Sequence, residues 1–248
     1  MCVCLPAAAG AIPRARLTAT LTPEHLGGGT TVGFTLRVLT PTDTVPPPLT
    51  EVDLRYPRNL GFATSGLGLE PCAPARLEAF GPRGCPPDSV MGVGSAVAEI
   101  AVGPGIVHER AFLSVFRAPI ENGRIAMIFY ANGAAPLEAR IQLPSLLLPA
   151  PAPFGGRVKI DVPLIPSLPE TPDVAVVRLT TALGPLGVAA YEEEYGRTVA
   201  YRPRGVQLPD SCPRGGFPFA AQLSFLGGGS ATARTVVACP GSHPRPAR

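Results

Sequence analysis

The chain has no tryptophan, and Lys159 is its single lysine. Aromatic residues make up 6% of the sequence and charged residues 16%. Each shortage excludes something. Sugar-binding modules stack pyranose rings on exposed aromatics, so the missing indoles weigh against that mode. A net charge of +3 is too small for a nucleic-acid footprint, and no nucleic-acid partner is expected. His25, His108 and His243 are the only histidines and lie in separate segments. A metal centre or a histidine-based triad would need them to converge with carboxylates, so no metal and no other cofactor is expected. His108 falls on the polar side of a strand and reads as solvated. There is no G-x-S-x-G elbow and no G-x-x-x-x-G-K-[ST] loop. Gly27-Gly28-Gly29 precedes a strand and not a helix, which removes the usual phosphate cradle. Ser65 and Ser95 read as turn serines. The uncharged stretch 141–156 is broken by Pro144, Pro149, Pro151 and Pro153, whereas a spanning helix needs about 20 apolar residues in series. No transmembrane segment is expected.

What the chain has instead is proline and glycine, 32 and 28 residues, among 46% hydrophobic residues. Proline is barred from helix interiors and central strands, so it must occupy turns and edges. Between these breaks, short runs alternate apolar and polar residues, the period of a half-buried strand. Leu17 to Leu21 alternates, as do Val32, Phe34, Leu36 and Val38, then Val52, Leu54 and Tyr56 after Pro46-Pro47-Pro48. Residues 59–97 read mostly as loop. Strands follow at Glu99 to Val102, Ile106 to Phe116 and Arg124 to Tyr130; Leu137, Ala139, Ile141 and Leu143 then share a face. The second half adds Val158 to Val162 and Asp173 to Leu183. Tyr191 to Glu194 and Arg197 to Tyr201 form a hairpin about Tyr195-Gly196, with Glu194 opposite Arg197. Phe219 to Phe225 and Ala231 to Ala238 form the last pair. About a dozen short strands predict an all-β fold of immunoglobulin-like, β-sandwich architecture with long Pro/Gly-rich loops. The expected unit is residues 14–240, with two tightly packed lobes dividing near 119 as the alternative.

Four cysteines are flanked by proline: Cys72, Cys85, Cys212 and Cys239. No C-x₂₋₄-C pair offers zinc spacing. Four cysteines allow three connectivities, and local pairing, Cys72 with Cys85 and Cys212 with Cys239, is the simplest. The first would pin an irregular connection, the second would clasp the last hairpin. Disulfides place the chain in an oxidising compartment, secreted or at the cell surface. Residues 1–13 lack the basic start and apolar run of a signal peptide but carry Ala9-Gly10-Ala11, the pattern of a cleavage site, and read as a leader or signal-peptide remnant. Residues 241–248 read as a disordered tail.

The most polar-aromatic patch is the hairpin with its flank: Tyr191, Glu192, Glu194, Arg197, Tyr201 and Arg202. It is the candidate binding surface, and Glu192 with Glu194, which share a strand face, is the one candidate carboxylate pair.

Several strings carry a resemblance: Asp53-Leu54-Arg55-Tyr56-Pro57 to Gly61; Leu67-Gly68-Leu69 and Cys72; Gly84-Cys85-Pro86 with Ser89, Met91 and Gly92; Pro153-Phe154-Gly155-Gly156; Pro163 to Pro169; Gly196 to Gly205; and Cys212-Pro213 to Phe219. Together they resemble a group of uncharacterised exported β-rich proteins of high-GC Gram-positive bacteria. The stretch from Leu54 to Gly92 also resembles a unit of larger repeat-bearing surface proteins. The resemblance implies export and no particular activity. Three functions follow in order. The first is a non-enzymatic structural or adhesion-like module whose partner is an envelope component or another protein. The second is a glycan or small-ligand binding module using the 191–204 hairpin. The third is a carboxylate-based hydrolase.

Overall fold

The computed structural model describes residues 13–41, 44–62, 66–134, 138–165 and 173–240. Residues 1–12 of the expected leader, the 241–248 tail with His243, and Ser65 lie outside these. Strand makes up 59% of the chain and there is one short helix, so the all-β expectation holds.

The first three strands are β1 (Arg14–Thr22), β2 (Gly29–Leu39) and β3 (Leu49–Pro57). Helix α1 (Pro74–Phe80) and two short 3₁₀ turns, Gly81–Gly84 and Pro87–Ser89, come next. The long strands β4 (Val90–Val102), β5 (Gly105–Glu121), β6 (Arg124–Gly133), β7 (Arg140–Pro149) and β8 (Phe154–Asp161) form a meander. After β9 (Ala175–Leu183) come the small hairpin β10 (Ala190–Glu194) and β11 (Arg197–Tyr201), then β12 (Val206–Gln207), β13 (Phe217–Phe225) and β14 (Ser230–Val237).

An immunoglobulin-like sandwich is not confirmed. All but β10 and β11 belong to one 12-stranded sheet in the order β1-β2-β9-β4-β5-β6-β7-β8-β3-β13-β14, with β12 attached to β2. The sheet is antiparallel throughout and nearly closed into a barrel. Period-2 patterning says which side of a strand is buried, not which strand lies beside it. Two long-range insertions decide the outcome: β9 pairs with both β2 and β4, and β3 with both β8 and β13.

Closure stops at one seam. With β12 off the path, eleven strands run alternately up and down, so β1 and β14 point the same way. They pack side by side, but no ladder joins them. Position 119, the alternative lobe boundary, falls inside β5, whose ladder to β6 runs past it. The main core draws on residues from Leu17 to Val237.

The sequence understated β4. Gly92 and Gly94 read as loop residues, yet both lie in the strand, where a Cβ would overlap the carbonyls of Ala182 and Thr180 on β9. Glycine is there because the neighbouring backbone comes too close for anything larger. Ser95 is likewise in β4 and not in a turn.

Both local cysteine pairs form, Cys72 with Cys85 and Cys212 with Cys239. The first closes a segment that holds α1 against the outside of β5 and β6. There Leu77 packs with Phe116, Ala118, Ile128 and Tyr130 in a second small core. The second ties the chain before β13 to the chain after β14, as expected for a clasp.

Candidate functional site

The barrel is filled unevenly. At the end where β4 begins and β6 carries Met127, the interior holds Met91, Met127, Phe217 and Phe219, all buried. At the other end the inward positions are small: Ala96 and Ala98 on β4, Ala111 on β5, Ala131 and Gly133 on β6, and Ala139 before β7. Strand spacing is fixed near 4.8 Å, so small side chains leave space that the backbone cannot close. The result is an open-ended cavity of about 70 Å³, apolar apart from one side chain.

That side chain is Glu109. It lies on β5 in register with the inward set Ala111, Leu113 and Val115 and is 6% exposed. Charged residues are almost never this buried without a role or a partner. The carboxylate sits against β6: a Cβ on Gly133 would stand 2.7 Å from Glu109 Oε1. The two neighbours of Glu109 along β5 point outward. His108 meets Glu99 across the β4–β5 ladder at 3.2 Å, so it serves a surface pair and no catalytic constellation. Sequence reading passed over Glu109 because the string Val107-His108-Glu109-Arg110 looks like a solvated edge. The signal was there in the parity: 109 shares its face with 111, 113 and 115.

The hairpin patch proposed from sequence is partly assembled. β10 and β11 pair in the expected register, Glu194 opposite Arg197, turning through Tyr195 and Gly196, whose φ values are 50° and 74°. Two positive φ values define the tight turn that suits a twisted hairpin. The hairpin lies against the 3₁₀ turn Pro87–Ser89. Between them a groove of about 270 Å³ is lined by Leu69, Tyr191 and four carboxylates, Glu70, Asp88, Glu192 and Glu193. Burial, and then the charges of Glu70, Glu192 and Glu193, raise the Asp88 pKa above the ordinary aspartate value. Tyr201 is pushed up by burial, Asp88 and Glu192, and its hydroxyl donates to the Gly66 carbonyl at 2.8 Å. Tyr191 and Glu192 line the groove, while Tyr201 ties the hairpin to the loop before Cys72. Arg202 is exposed. Glu194 and Arg197 are at the exposed tip, outside the groove. The candidate pair Glu192 and Glu194 does not face one another across a cleft.

Among the described residues no three His, Cys, Asp or Glu side chains are grouped so as to hold a metal ion. No helix among them is long and apolar enough to cross a membrane. Comparison with protein-family models, with curated proteins and with solved structures returns no match to this chain.

Proposed function

We propose that the chain is an exported, non-enzymatic binding module of the cell envelope, and that the hollow end of the barrel is its ligand site. The observation that carries this reading is the apolar cavity with one buried carboxylate in its wall. Ligand pockets are mostly apolar with a few placed polar groups that fix orientation. A void also costs stability, about 1 kcal/mol per missing methyl group, so a barrel with a purely structural task would fill it. The two disulfides support the extracytoplasmic setting.

The cavity limits the ligand. At about 70 Å³ it is smaller than the roughly 150 Å³ that accommodates benzene in an engineered core. It fits the end of an unbranched aliphatic chain better than a ring. Glu109 accepts hydrogen bonds, so the ligand carries a donor, an amine or an alcohol. The test is a thermal-shift and NMR titration with straight-chain alkylamines, alkanols and alkanoates of matched length. Amines and alcohols stabilise the protein and shift resonances of Ala96, Ala111 and Ala131. Alkanoates, which bring a second carboxylate to Glu109, do not. No shift with any member of the three series would end the proposal.

A second reading rests on the groove beside the hairpin. Four carboxylates around one opening favour a small cationic or polyhydroxylated ligand, with Tyr191 as its one ring. Binding of a diamine or an amino sugar that is lost in Tyr191→Ala and unaffected by changes in the barrel would support it.

A further inference from the structure

A row of arginines crosses the outer wall of the barrel. The ladders place Arg16 of β1 opposite Arg37 of β2, Arg37 opposite Arg178 of β9, Arg178 opposite Val97 of β4, and Val97 opposite Arg110 of β5. All four arginines are exposed. Leu17, Leu36 and Leu179 beside them are buried in the core, so by alternation the arginines point outward. Like charges directly opposite one another destabilise a sheet, and three adjacent strands carry that conflict.

The opposite wall shows how this chain treats charge when nothing else will neutralise it. On β3 and β8, Asp53 takes both Arg55 and Arg157, and Lys159 bridges Glu51 and Asp161 at 3.1 Å each. Among the described residues no ion pair engages Arg16, Arg37, Arg178 or Arg110. The nearest carboxylate in the next row, Glu99, is held by His108.

A second row runs beside the first, built of hydroxyls: Thr18 on β1, Thr35 on β2, Thr180 on β9 and Ser95 on β4. Thr35 and Thr180 are hydrogen-bonded at 3.2 Å. Between the rows a shallow groove of about 250 Å³ is lined by Arg16, Thr18, Thr35 and Arg37. Guanidiniums match carboxylates in paired geometry, and a hydroxyl row offers donors and acceptors to a polyol. The hydroxyl row ends at Phe112, leaving no run of rings on which successive bases could stack.

We propose that this face, on β1, β2, β9 and β4, binds an acidic polysaccharide chain bearing uronate carboxylates. The carboxylates sit on the arginine row and the sugar hydroxyls on the threonine row. The surface lies on the outside of the barrel and is independent of the interior cavity.

The experiment is affinity electrophoresis and calorimetry of the whole chain with alginate oligosaccharides at low and moderate salt. Dextran serves as the uncharged control and a single-stranded oligothymidine as the competing polyanion. Alginate binding weakens at least tenfold in Arg37→Ala/Arg178→Ala and weakens with salt, while Arg124→Ala, at the β5–β6 turn, leaves it unchanged. Arg124→Ala melts with the parent, and Arg37→Ala/Arg178→Ala melts with it or slightly above it, since every changed residue is exposed and the double change removes like-charge contacts. Absence of alginate binding, or binding that Arg37→Ala/Arg178→Ala does not alter, would overturn the proposal. Tighter binding of oligothymidine than of alginate would also overturn it and assign the face to nucleic acid.

Discussion

Glu109 and Gly133 interlock across the β5–β6 ladder, the carboxylate occupying the place a side chain on 133 would need. A Cβ there would stand 2.7 Å from Glu109 Oε1 and 3.1 Å from the Ala139 backbone nitrogen and oxygen. Gly133→Ala is therefore expected to cost about 1–3 kcal/mol, the range for overpacking, and to displace the carboxylate. Urea unfolding gives the first effect, and a weaker response to alkylamines gives the second. A variant as stable as the parent and equally responsive would show that the contact relaxes freely.

Ala98→Leu adds apolar volume to the cavity wall. Cavity filling at compatible sites commonly adds about 0.5–2 kcal/mol, so the variant should melt at or above the parent temperature while losing its response to amines and alcohols. In the parent, ligand at ten times its dissociation constant adds about 1.4 kcal/mol, a rise of about 3–5 °C for a chain of this size. Stability and response moving together would argue that the void is a packing flaw and not a site.

Asp53 is 4% exposed and lies between two arginines that face each other, Arg55 and Arg157. Asp53→Ala leaves that like-charged pair unneutralised on adjacent strands. Breaking a buried ion pair costs about 3–5 kcal/mol. Both arginines are about a third exposed, so solvent screening brings the expected loss to about 2 kcal/mol. Adding Arg157→Gln should recover part of it, measured as a double-mutant cycle by urea unfolding.

The clasp and the pin should differ in size and in place. The bridges span 13 and 27 residues, which the chain-entropy relation converts to about 3 and about 3.5 kcal/mol. Cys72→Ser/Cys85→Ser should first expose the amides of α1 and the outer face of β5 and β6 to hydrogen exchange. Cys212→Ser/Cys239→Ser should loosen β13 and β14. Identical exchange patterns in the two variants would contradict separate roles.

Asp88 has its pKa raised in the folded chain. The folded state then holds its proton more tightly than the unfolded state. That favourable contribution is fully present below the unfolded aspartate value and is lost as pH rises through the raised folded value. Asp88→Asn should flatten the stability profile across the acid range and be at least as stable as the parent at neutral pH. Thermal melts from pH 3 to 7 decide it, and a variant whose profile keeps the parent's slope would count against this origin.

Strand positions were legible from alternation wherever side chains were large. Phe219, Ala221, Leu223 and Phe225 read as one buried face and are one, and the β10–β11 register followed from Tyr195-Gly196. β4 was half lost because its inner half is glycine, serine and alanine, residues chosen for what they leave room for. Topology was not legible, since nothing local in β9 or β3 names partners more than fifty residues away. The hairpin residues named from sequence are only partly brought together: Tyr191 and Glu192 line the groove, Glu194 and Arg197 do not. Glu109 was missed because three polar residues in a row, His108 to Arg110, hid its parity, and the arginine row because its members come from four separate strands.

The seam between β1 and β14 also sets how the molecule carries load. β1 starts at the hollow end of the barrel, and β14, running the same way, finishes at the opposite end. Tension applied through the two flanking segments therefore pulls lengthwise along β1–β2 and β13–β14. Every rung of each ladder is loaded at once, and none is peeled singly. Cys212–Cys239 diverts the pull arriving at the β14 side into the chain ahead of β13. A chain anchored at one end and tugged at the other would resist as a sheared joint.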